Sequence, residues 1–373
     1  MGAMIQRRRN RPGDIPIQEV NYMTLFTLGP VQMYPETLRI EGEQLPYFRT
    51  PEFSAVMKEI EAWFLETVHA PAGSRFIGLT TSGTGAMDAA VSNVLTRDDK
   101  VLVINGGSFG ERFSEICSFY GIPHEDYKIP FLHAFDKEEF EKYSGKGFTA
   151  LLVNACDTST GQRYDLDYLA DFCERNRMIL IVDAVSAYLC DPIDMGRQKI
   201  DVLLTASQKA LALSPGTSLI ALSERAVDRL GRGPRAYYLD FGPYLKDQLR
   251  GQPPFTSSVG TMLALHQRLE SIRGQGIGNV TEEHRRRAEH FRKLVAGLPL
   301  EIPQIPLSNS GTPILFPKEN ATAVYEALKS KYGIVLTPSG GAIKDRQLRV
   351  GHMGNLALAD FDILAEKLGE ELR

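Results

Sequence analysis

Residues 178–184 read M-I-L-I-V-D-A, and residues 202–217 read V-L-L-T-A-S-Q-K-A-L-A-L-S-P-G-T. The first apolar run ends at Asp183, and the second is followed by a turn that carries Lys209. Short, nearly continuous apolar runs are typical of strands buried on both faces of a mainly parallel sheet. The two stretches therefore predict a carboxylate and an amine at the ends of two such strands.

The alternation of apolar runs and helical patterns continues through the first two-thirds of the chain. Further predicted strands are F-I-G-L-T (76–80), K-V-L-V-I (100–104), A-L-L-V-N (150–154) and S-L-I-A-L (218–222). Helical patterns lie between them, for example at 86–95 and 166–176. A repeated strand–helix order predicts an α/β domain built on a mainly parallel sheet.

The composition changes near Gly274, where G-Q-G-I-G-N (274–279) predicts a linker or a helix end. The residues beyond it mix strand and helix patterns, which indicates a smaller α+β domain. The predicted units are an N-terminal arm (1–23), a large domain (24–275) and a small C-terminal domain (276–373). Residues 1–3 resemble a cloning remnant before a native start at Met4.

Composition argues against several functional classes. The 373 residues carry a net charge of −4, which does not indicate nucleic-acid binding, and the basic R-R-R-N-R (7–11) fits a solvated arm. No run approaches the roughly 18 apolar residues of a membrane span. The cysteines lack C-x-x-C spacing and fit free thiols in a reducing cytoplasm better than disulfides or a metal site.

An amine and a carboxylate at strand ends suit pyridoxal phosphate. This cofactor needs an amine that forms a Schiff base with its aldehyde, and a carboxylate that keeps its pyridine nitrogen protonated. Lys209 and Asp183 provide both groups. Taken singly, each is more typical of a surface lysine or a turn aspartate, so the prediction depends on the motifs around them.

The motif Thr81-Ser82-Gly83-Thr84-Gly85 lies between a predicted strand and a predicted helix. Small residues and hydroxyls at a helix N-terminus bind phosphate through free N–H groups. Serine and threonine also cap ordinary helices for the same hydrogen-bonding reason, and that alternative stays open. No G-K-[ST] follows, so the motif is not a P-loop.

Two more motifs follow strands. Phe109 lies in G-G-S-F-G (106–110), and the glycine spacing of this motif does not match a dinucleotide fingerprint. The ring of Phe109 suits either stacking on a planar cofactor or packing in a hydrophobic core. Thr158 lies in N-A-C-D-T-S-T-G (154–161). Ligands of open α/β sheets gather at the carboxyl ends of strands. Five motifs after strands therefore predict one site.

Arg349 in Q-L-R-V-G-H (347–352) is the candidate from the small domain. A guanidinium binds a carboxylate or phosphonate through two parallel hydrogen bonds, although an arginine on a strand is also typical of a surface ion pair. Arg49 in Y-F-R-T-P-E-F (47–53) is the alternative residue for holding a substrate acid group.

Taken together, these motifs resemble class V (fold type I) aminotransferases, which depend on pyridoxal phosphate. The segment S-Q-K-A-L-x-x-x-P-G-T-S-L-I (207–220) is similar to the lysine segment of alanine–glyoxylate and serine–pyruvate aminotransferases. L-R-V-G-H-M-G (348–354) resembles the substrate-arginine segment of that family and of 2-aminoethylphosphonate–pyruvate aminotransferases. Y-L-D (238–240) and T-L-G-P (27–30) also fit. The resemblance covers about residues 24–370.

The resemblance implies a role for each strand-end residue. Lys209 would form the Schiff base, and Asp183 would pair with the pyridine nitrogen. Thr158 would contact the ring hydroxyl, and Phe109 would stack on the ring where some relatives carry tryptophan. Arg349 would bind the acid group of the substrate.

The resemblance also implies a phosphate site and an assembly. The residues around the phosphate would be Ser82, Gly83, Thr84 and Gln208. Ser258, in place of a threonine, would reach the phosphate of a neighbouring subunit, which implies a homodimer with composite active sites. Gly29 would line the substrate site, beside Leu28, which stands where relatives often have glycine.

The implied activity is transamination between a small amino donor and a 2-oxo acid such as pyruvate or glyoxylate. 2-Aminoethylphosphonate–pyruvate and amino-sugar-precursor transamination remain alternatives. A cysteine desulfurase or lyase is disfavoured, because all four cysteines precede Lys209 and Gln208 stands at the expected histidine position. The chain lacks a dinucleotide fingerprint, which argues against a nucleotide-binding dehydrogenase. The presence of a complete Lys–Asp–Arg set argues against a non-catalytic binding protein on this fold.

Lys209→Ala is expected to abolish covalent attachment of pyridoxal phosphate and turnover, because no other amine is predicted at this position. Borohydride reduction followed by peptide mapping measures the attachment. Full activity together with a reducible adduct on another lysine would contradict the assignment.

Overall fold

The computed structural model describes residues 23–231 and 236–373, so the predicted arm lies outside the described residues except for Met23. The helices are α1 Pro35–Glu41, α2 Pro51–Thr67, α3 Gly83–Val94, α4 Ser108–Tyr120, α5 Lys137–Glu141, α6 Leu166–Asn176, α7 Glu224–Val227, α8 Phe241–Gln248, α9 Val259–Gln275, α10 Ile277–Val295, α11 Ala321–Tyr332 and α12 Leu358–Glu371. The strands are β1 Thr24–Leu25, β2 Arg75–Leu79, β3 Val101–Asn105, β4 His124–Lys128, β5 Ala150–Asn154, β6 Cys156–Asp157, β7 Gln162–Arg163, β8 Ile179–Asp183, β9 Val202–Ala206, β10 Ser218–Leu222, β11 Gly311–Leu315, β12 Ile334–Val335, β13 Thr337–Pro338 and β14 Gln347–Gly351.

A seven-stranded sheet forms the centre of the molecule, in the order β2-β10-β9-β8-β5-β3-β4. The pairs from β9 to β4 are parallel. Strand β10 runs antiparallel to both of its neighbours, β2 and β9. Because β10 alone is reversed in this sheet, β2, β3, β5, β8 and β9 end at the same edge. The predicted α/β fold with a mainly parallel sheet is confirmed.

Both faces of the sheet are buried, which explains the continuous apolar runs. Along β3, Leu102 and Ile104 belong to one hydrophobic core, while Val101 and Val103 belong to the core on the opposite face. Alternate side chains of a strand point to opposite faces, so both sets must be apolar when helices cover both sides.

Strand β4 was not predicted. Its sequence H-E-D-Y-K is polar, and among the described strands it pairs only with β3, at the edge of the sheet. Only Tyr127 of its residues is buried. An edge strand with solvent on one side does not need an apolar run, so hydrophobic periodicity gives no signal for it.

The C-terminal unit has its own core and a three-stranded sheet, β11-β14-β13. Gly276, with φ +86°, separates α9 from α10 inside the predicted linker. Thr24 and Leu25 pair in parallel with Ile334 and Val335, and Phe26 joins the C-terminal core. The chain therefore packs its first described residues on the C-terminal unit, whereas the sequence analysis assigned them to the large domain.

The four cysteines are buried and unpaired, as expected. Within the ranges 23–231 and 236–373, none of the helices combines the length and apolar character needed to cross a bilayer.

Candidate active site

Asp183 ends β8 in the interior, with 5% of its surface exposed. Its Oδ2 accepts a hydrogen bond from Asn154 Nδ2 at 2.6 Å, and its Oδ1 accepts from the Val185 amide at 2.8 Å. Burial raises the pKa of this carboxyl to about 6, although both hydrogen bonds and the charge of Lys209 act in the opposite direction. A buried carboxylate held in this way is stabilised further by a cationic partner.

Lys209 lies on the turn after β9, which is the neighbour of β8 in the sheet. The amine is buried, and Nζ donates a hydrogen bond to the carbonyl oxygen of Leu28. Burial lowers the pKa of Lys209 to about 8, against the smaller raising effect of Asp183. The amine therefore loses its proton more readily than an exposed lysine does.

Gly29 packs directly on the lysine side chain. A Cβ atom at this position would lie 2.9 Å from Lys209 Cδ and 3.0 Å from Cε, and its φ is +122°. Both the space and the backbone conformation favour glycine here. The structure places Gly29 beside the reactive amine, next to the Leu28 carbonyl that holds it.

The predicted phosphate motif forms the N-terminus of α3. Ser82 caps the helix by accepting from the Gly85 amide at 3.4 Å. A Cβ on Gly83 would lie 2.9 Å from Val185 Cγ2, so α3 approaches the turn after Asp183 closely. Arg112 Nη1 donates to Thr84 Oγ1 at 3.1 Å. A helix N-terminus with an adjacent guanidinium favours an anion.

A group of hydroxyl side chains lies between the predicted phosphate motif and Ser258. Ser258 Oγ and Thr217 Oγ1 lie 2.5 Å apart, and the Ser258 amide donates to Thr80 Oγ1 at 3.1 Å. Tyr238 OH donates to the carbonyl of Thr80 at 3.3 Å. Ser258 thus lies beside the end of β2 within its own chain, and its role toward a neighbouring subunit stays a prediction.

Phe109 and Thr158 lie beyond the next two strands of the sheet. Phe109 is half-buried in the first turn of α4, with the Arg112 guanidinium 4.8 Å from its ring centroid. Thr158 is buried, and its Oγ1 lies 2.6 Å from Ser186 Oγ. The order β9-β8-β5-β3 therefore places Lys209, Asp183, Thr158 and Phe109 after four consecutive strands.

Arg349 reaches this edge from β14 of the C-terminal unit. Its Nη1 donates to the carbonyl of Thr158 at 3.0 Å, and its Nη2 donates to the carbonyl of Pro338 at 2.9 Å. Its Nε is buried and has no partner among the residues that the structure describes. Burial lowers the pKa of Arg349, and the charge of Asp157 opposes this effect.

Gln208 and Arg49 differ in their surroundings. Gln208 lies next to Lys209, and its Oε1 is buried without a partner in the described part of the chain. Arg49 is exposed, donates to the Pro254 carbonyl at 3.4 Å and stacks over the Phe48 ring at 4.8 Å. Arg49 is therefore already engaged at the surface, whereas Arg349 has a free buried donor.

Pyridoxal phosphate fits these residues. The α3 N-terminus with Arg112 matches a phosphate, and the buried carboxylate of Asp183 matches a protonated pyridine. The amine of Lys209 follows the neighbouring strand. The buried atoms Gln208 Oε1 and Arg349 Nε have no partner among the described residues, so both are available to a ligand.

Sequence reasoning did not identify Asn154, Arg112 or Leu28 as supporting groups. Asn154 could have been found, because it ends β5 in register with Asp183 at the end of β8. Arg112 gives no comparable signal in the sequence, because it does not directly follow a strand. It lies inside α4, one helical turn after Phe109. The Leu28 carbonyl is a main-chain group, and no side-chain pattern reveals it.

The class-V aminotransferase family profile matches residues 47–300. The chain belongs to this family. An uncharacterized aminotransferase of Methanocaldococcus jannaschii is 30% identical over 370 residues, covering 94% of each chain. The alanine–glyoxylate aminotransferase of Oryctolagus cuniculus is 28% identical over 358 residues, covering 92% of this chain and 91% of its own.

Solved structures agree with the family assignment. The alanine–glyoxylate aminotransferase from Nostoc sp. superposes with a TM-score of 0.89 at 25% identity, covering 99% of this chain and all of that one. The resemblance to class V aminotransferases is confirmed, and this class V aminotransferase catalyses transamination. The family implies pyridoxal phosphate as its cofactor.

None of the four cysteines is suited to be the nucleophile of a cysteine desulfurase, because all four are buried. Burial raises the pKa of Cys117 and of Cys156 to about 12, and it raises the pKa of Cys173 and Cys190 as well. A reactive cysteine needs a lowered pKa and solvent access. These thiols are therefore structural.

Asp183→Asn is expected to leave pyridoxal phosphate bound and to reduce kcat by about 10²-fold or more, because the amide cannot pair with a ring cation. Visible absorption measures occupancy, and single-turnover kinetics measure the rate. A variant within about twofold of the parent rate would contradict the role, given the size of such electrostatic effects.

Proposed function

We propose that this aminotransferase moves the amino group of a small amino acid, such as alanine or serine, to a 2-oxo acid such as pyruvate or glyoxylate. The observation that carries the proposal is the guanidinium of Arg349, whose buried Nε has no partner within residues 23–231 and 236–373. The similarity to alanine–glyoxylate aminotransferases supports the choice of small substrates.

The position of Arg349 suits a carboxylate. Its two terminal nitrogens already donate to the main-chain carbonyls of Thr158 and Pro338, which fixes the plane of the guanidinium. The Nε N–H and one N–H on each terminal nitrogen remain, so Nε and the adjacent terminal nitrogen can donate to the two oxygens of an acid group, the paired geometry that guanidinium–carboxylate contacts prefer. A substrate whose acid group binds here would place its amino end toward Lys209 at the sheet edge.

The residues around the sheet edge divide the chemistry. Pyridoxal phosphate, when bound, supplies the electron sink for charge left on the substrate α-carbon. Asp183 would hold the positive charge of the pyridine nitrogen. Lys209 would carry a proton on Nζ from the substrate α-carbon to the cofactor, which its lowered pKa favours near neutral pH. The Leu28 carbonyl would hold the amine between these steps.

A donor screen tests the proposal directly. Alanine, serine, aspartate, 2-aminoethylphosphonate and pyridoxamine are each offered with pyruvate or glyoxylate, and the amino product is measured. The proposal expects alanine or serine to give the highest kcat/KM. A clear preference for aspartate, 2-aminoethylphosphonate or pyridoxamine would overturn the substrate class while leaving transamination intact.

Arg349→Ala is expected to keep the cofactor spectrum and to lose about 10²–10³-fold in kcat/KM for acidic donors, because losing a buried charge partner costs about 3–5 kcal/mol. Arg349→Lys should recover only part, because it lacks the planar pair of donors. Arg346→Ala is the matched control, since Arg346 is exposed near the same strand and pairs with Glu319. Normal turnover by Arg349→Ala would move the assignment to Arg49.

We also propose that the enzyme is a homodimer. Large apolar side chains are exposed beside Ser258: the rings of Tyr237 and Tyr238 pack against Phe255 at 5.8 Å and 5.3 Å, and Leu45 lies against Gly260. Exposed apolar surface of this kind marks protein interfaces. A second subunit covering it would lie next to both the Ser258 hydroxyl and the α3 N-terminus.

Tyr237→Asp is expected to shift the protein toward monomer and to weaken pyridoxal phosphate retention on dilution. Phe119→Asp is the matched control, because Tyr237 is 85% exposed and Phe119, on α4, is 82% exposed. Light scattering and visible absorption are measured together. A parent protein that is a stable monomer with full occupancy would contradict the proposed dimer.

A further inference from the structure

The carboxylate of Asp157 lies in the interior and has none of the roles assigned so far. It is 1% exposed. Its Oδ1 accepts from the Ser159 amide at 2.9 Å and from Ser159 Oγ at 2.5 Å. Its Oδ2 faces the amides of Phe109 and Gly110 at 3.3 Å and 3.4 Å. One carboxylate thus joins the turn after β6 to the first turn of α4.

The contact between this turn and α4 is close. A Cβ on Gly107 would lie 2.5 Å from Asp157 Oδ1 and 2.3 Å from Ser159 Oγ, so no side chain fits between them. The Ser108 amide donates to Ser159 Oγ at 3.1 Å. The start of α4, and with it the Phe109 ring, is therefore set by the position of Asp157.

The same turn also meets the C-terminal unit. Arg349 Nη1 donates to the Thr158 carbonyl at 3.0 Å, and Gln347 Nε2 donates to the Ser159 carbonyl at 2.9 Å. Both donors come from β14. A shift of the turn would therefore change Thr158, Phe109 and the support of Arg349 together.

We propose that Asp157 is a positioning residue of the cofactor site: its carboxylate sets the separation between Phe109 and Thr158 and supplies negative charge beside Arg349. This inference rests on the proposed roles of these three residues and deepens them. Asp157 acts through its neighbours, because its oxygens are directed to the amides of α4 and to Ser159.

The charge of Asp157 influences two groups of the site. Burial raises the pKa of Asp183, and Asp157 adds a smaller increase. Burial lowers the pKa of Arg349, and Asp157 opposes that change. A negative charge favours the protonated form of each neighbour, so its removal should make neighbouring groups lose their protons at lower pH.

The test compares Asp157→Asn and Asp157→Glu with the control Asp126→Asn. Asp126 also holds α4, since it accepts from Ser114 Oγ at 2.6 Å and from Asn105 Nδ2 at 2.9 Å. It has none of the contacts to Phe109 or Ser159 that Asp157 makes. General loosening of α4 should therefore appear in the control, whereas loss of positioning should not.

Three quantities are measured on the full-length protein: the dissociation constant of pyridoxal phosphate, the pH midpoint of its visible absorption, and hydrogen exchange in the cofactor-free protein. For Asp157→Asn, weakened hydrogen bonding should raise the dissociation constant on the order of tenfold. The pH midpoint should fall by about half a unit to one unit. Exchange should accelerate at residues 107–111. Asp157→Glu should keep the pH midpoint near that of the parent, because the charge is retained.

A parent protein that shows the cofactor band, with an Asp157→Asn variant that matches Asp126→Asn in all three measurements, would overturn this inference alone. A pH midpoint lowered equally in Asp157→Asn and Asp157→Glu would show that charge is not the cause, and would also overturn it. A parent protein without any cofactor band would overturn the proposed function and this inference with it.

Discussion

The candidate active site is organised around the buried carboxylate of Asp183. An isolated buried carboxylate is costly, and it persists only with hydrogen bonds or a charged partner. Asn154 and the Val185 amide provide the hydrogen bonds, and the parallel register of β5 and β8 places Asn154 directly beside Asp183. Burial still raises the pKa of Asp183 to about 6, so the site favours a ligand that brings a positive charge.

The geometry of the sheet edge follows from strand direction. Five strands that carry site motifs end at one edge, and the reversed strand β10 begins there, directly after Thr217. The turns after the strands approach one another closely: a Cβ on Gly83 would meet Val185, and a Cβ on Gly29 would meet the stem of Lys209. Glycine at these two positions allows the main chain to pack directly against the side chains of Val185 and Lys209.

Two connections join the C-terminal unit to this edge. Arg349 and Gln347 on β14 donate to the carbonyls of Thr158 and Ser159. The segment at Leu28 is the second connection: its amide donates to Thr337 at 2.8 Å, and its carbonyl accepts from Lys209. A movement of the C-terminal unit would therefore act on both the turn that carries Thr158 and the amine of Lys209.

The sequence alone determined the α/β class, the strands of the sheet interior and the residue types for the chemistry, because burial on both faces requires apolar runs and the chemistry requires an amine, an acid and a guanidinium. It did not reveal β4, since a solvated edge strand has no apolar pattern. It could not assign Leu28 or Asp157, because one acts through a main-chain carbonyl and the other through bonds to main-chain amides of a distant helix. Such contacts depend on distances across the folded chain, and only the tertiary structure decides them.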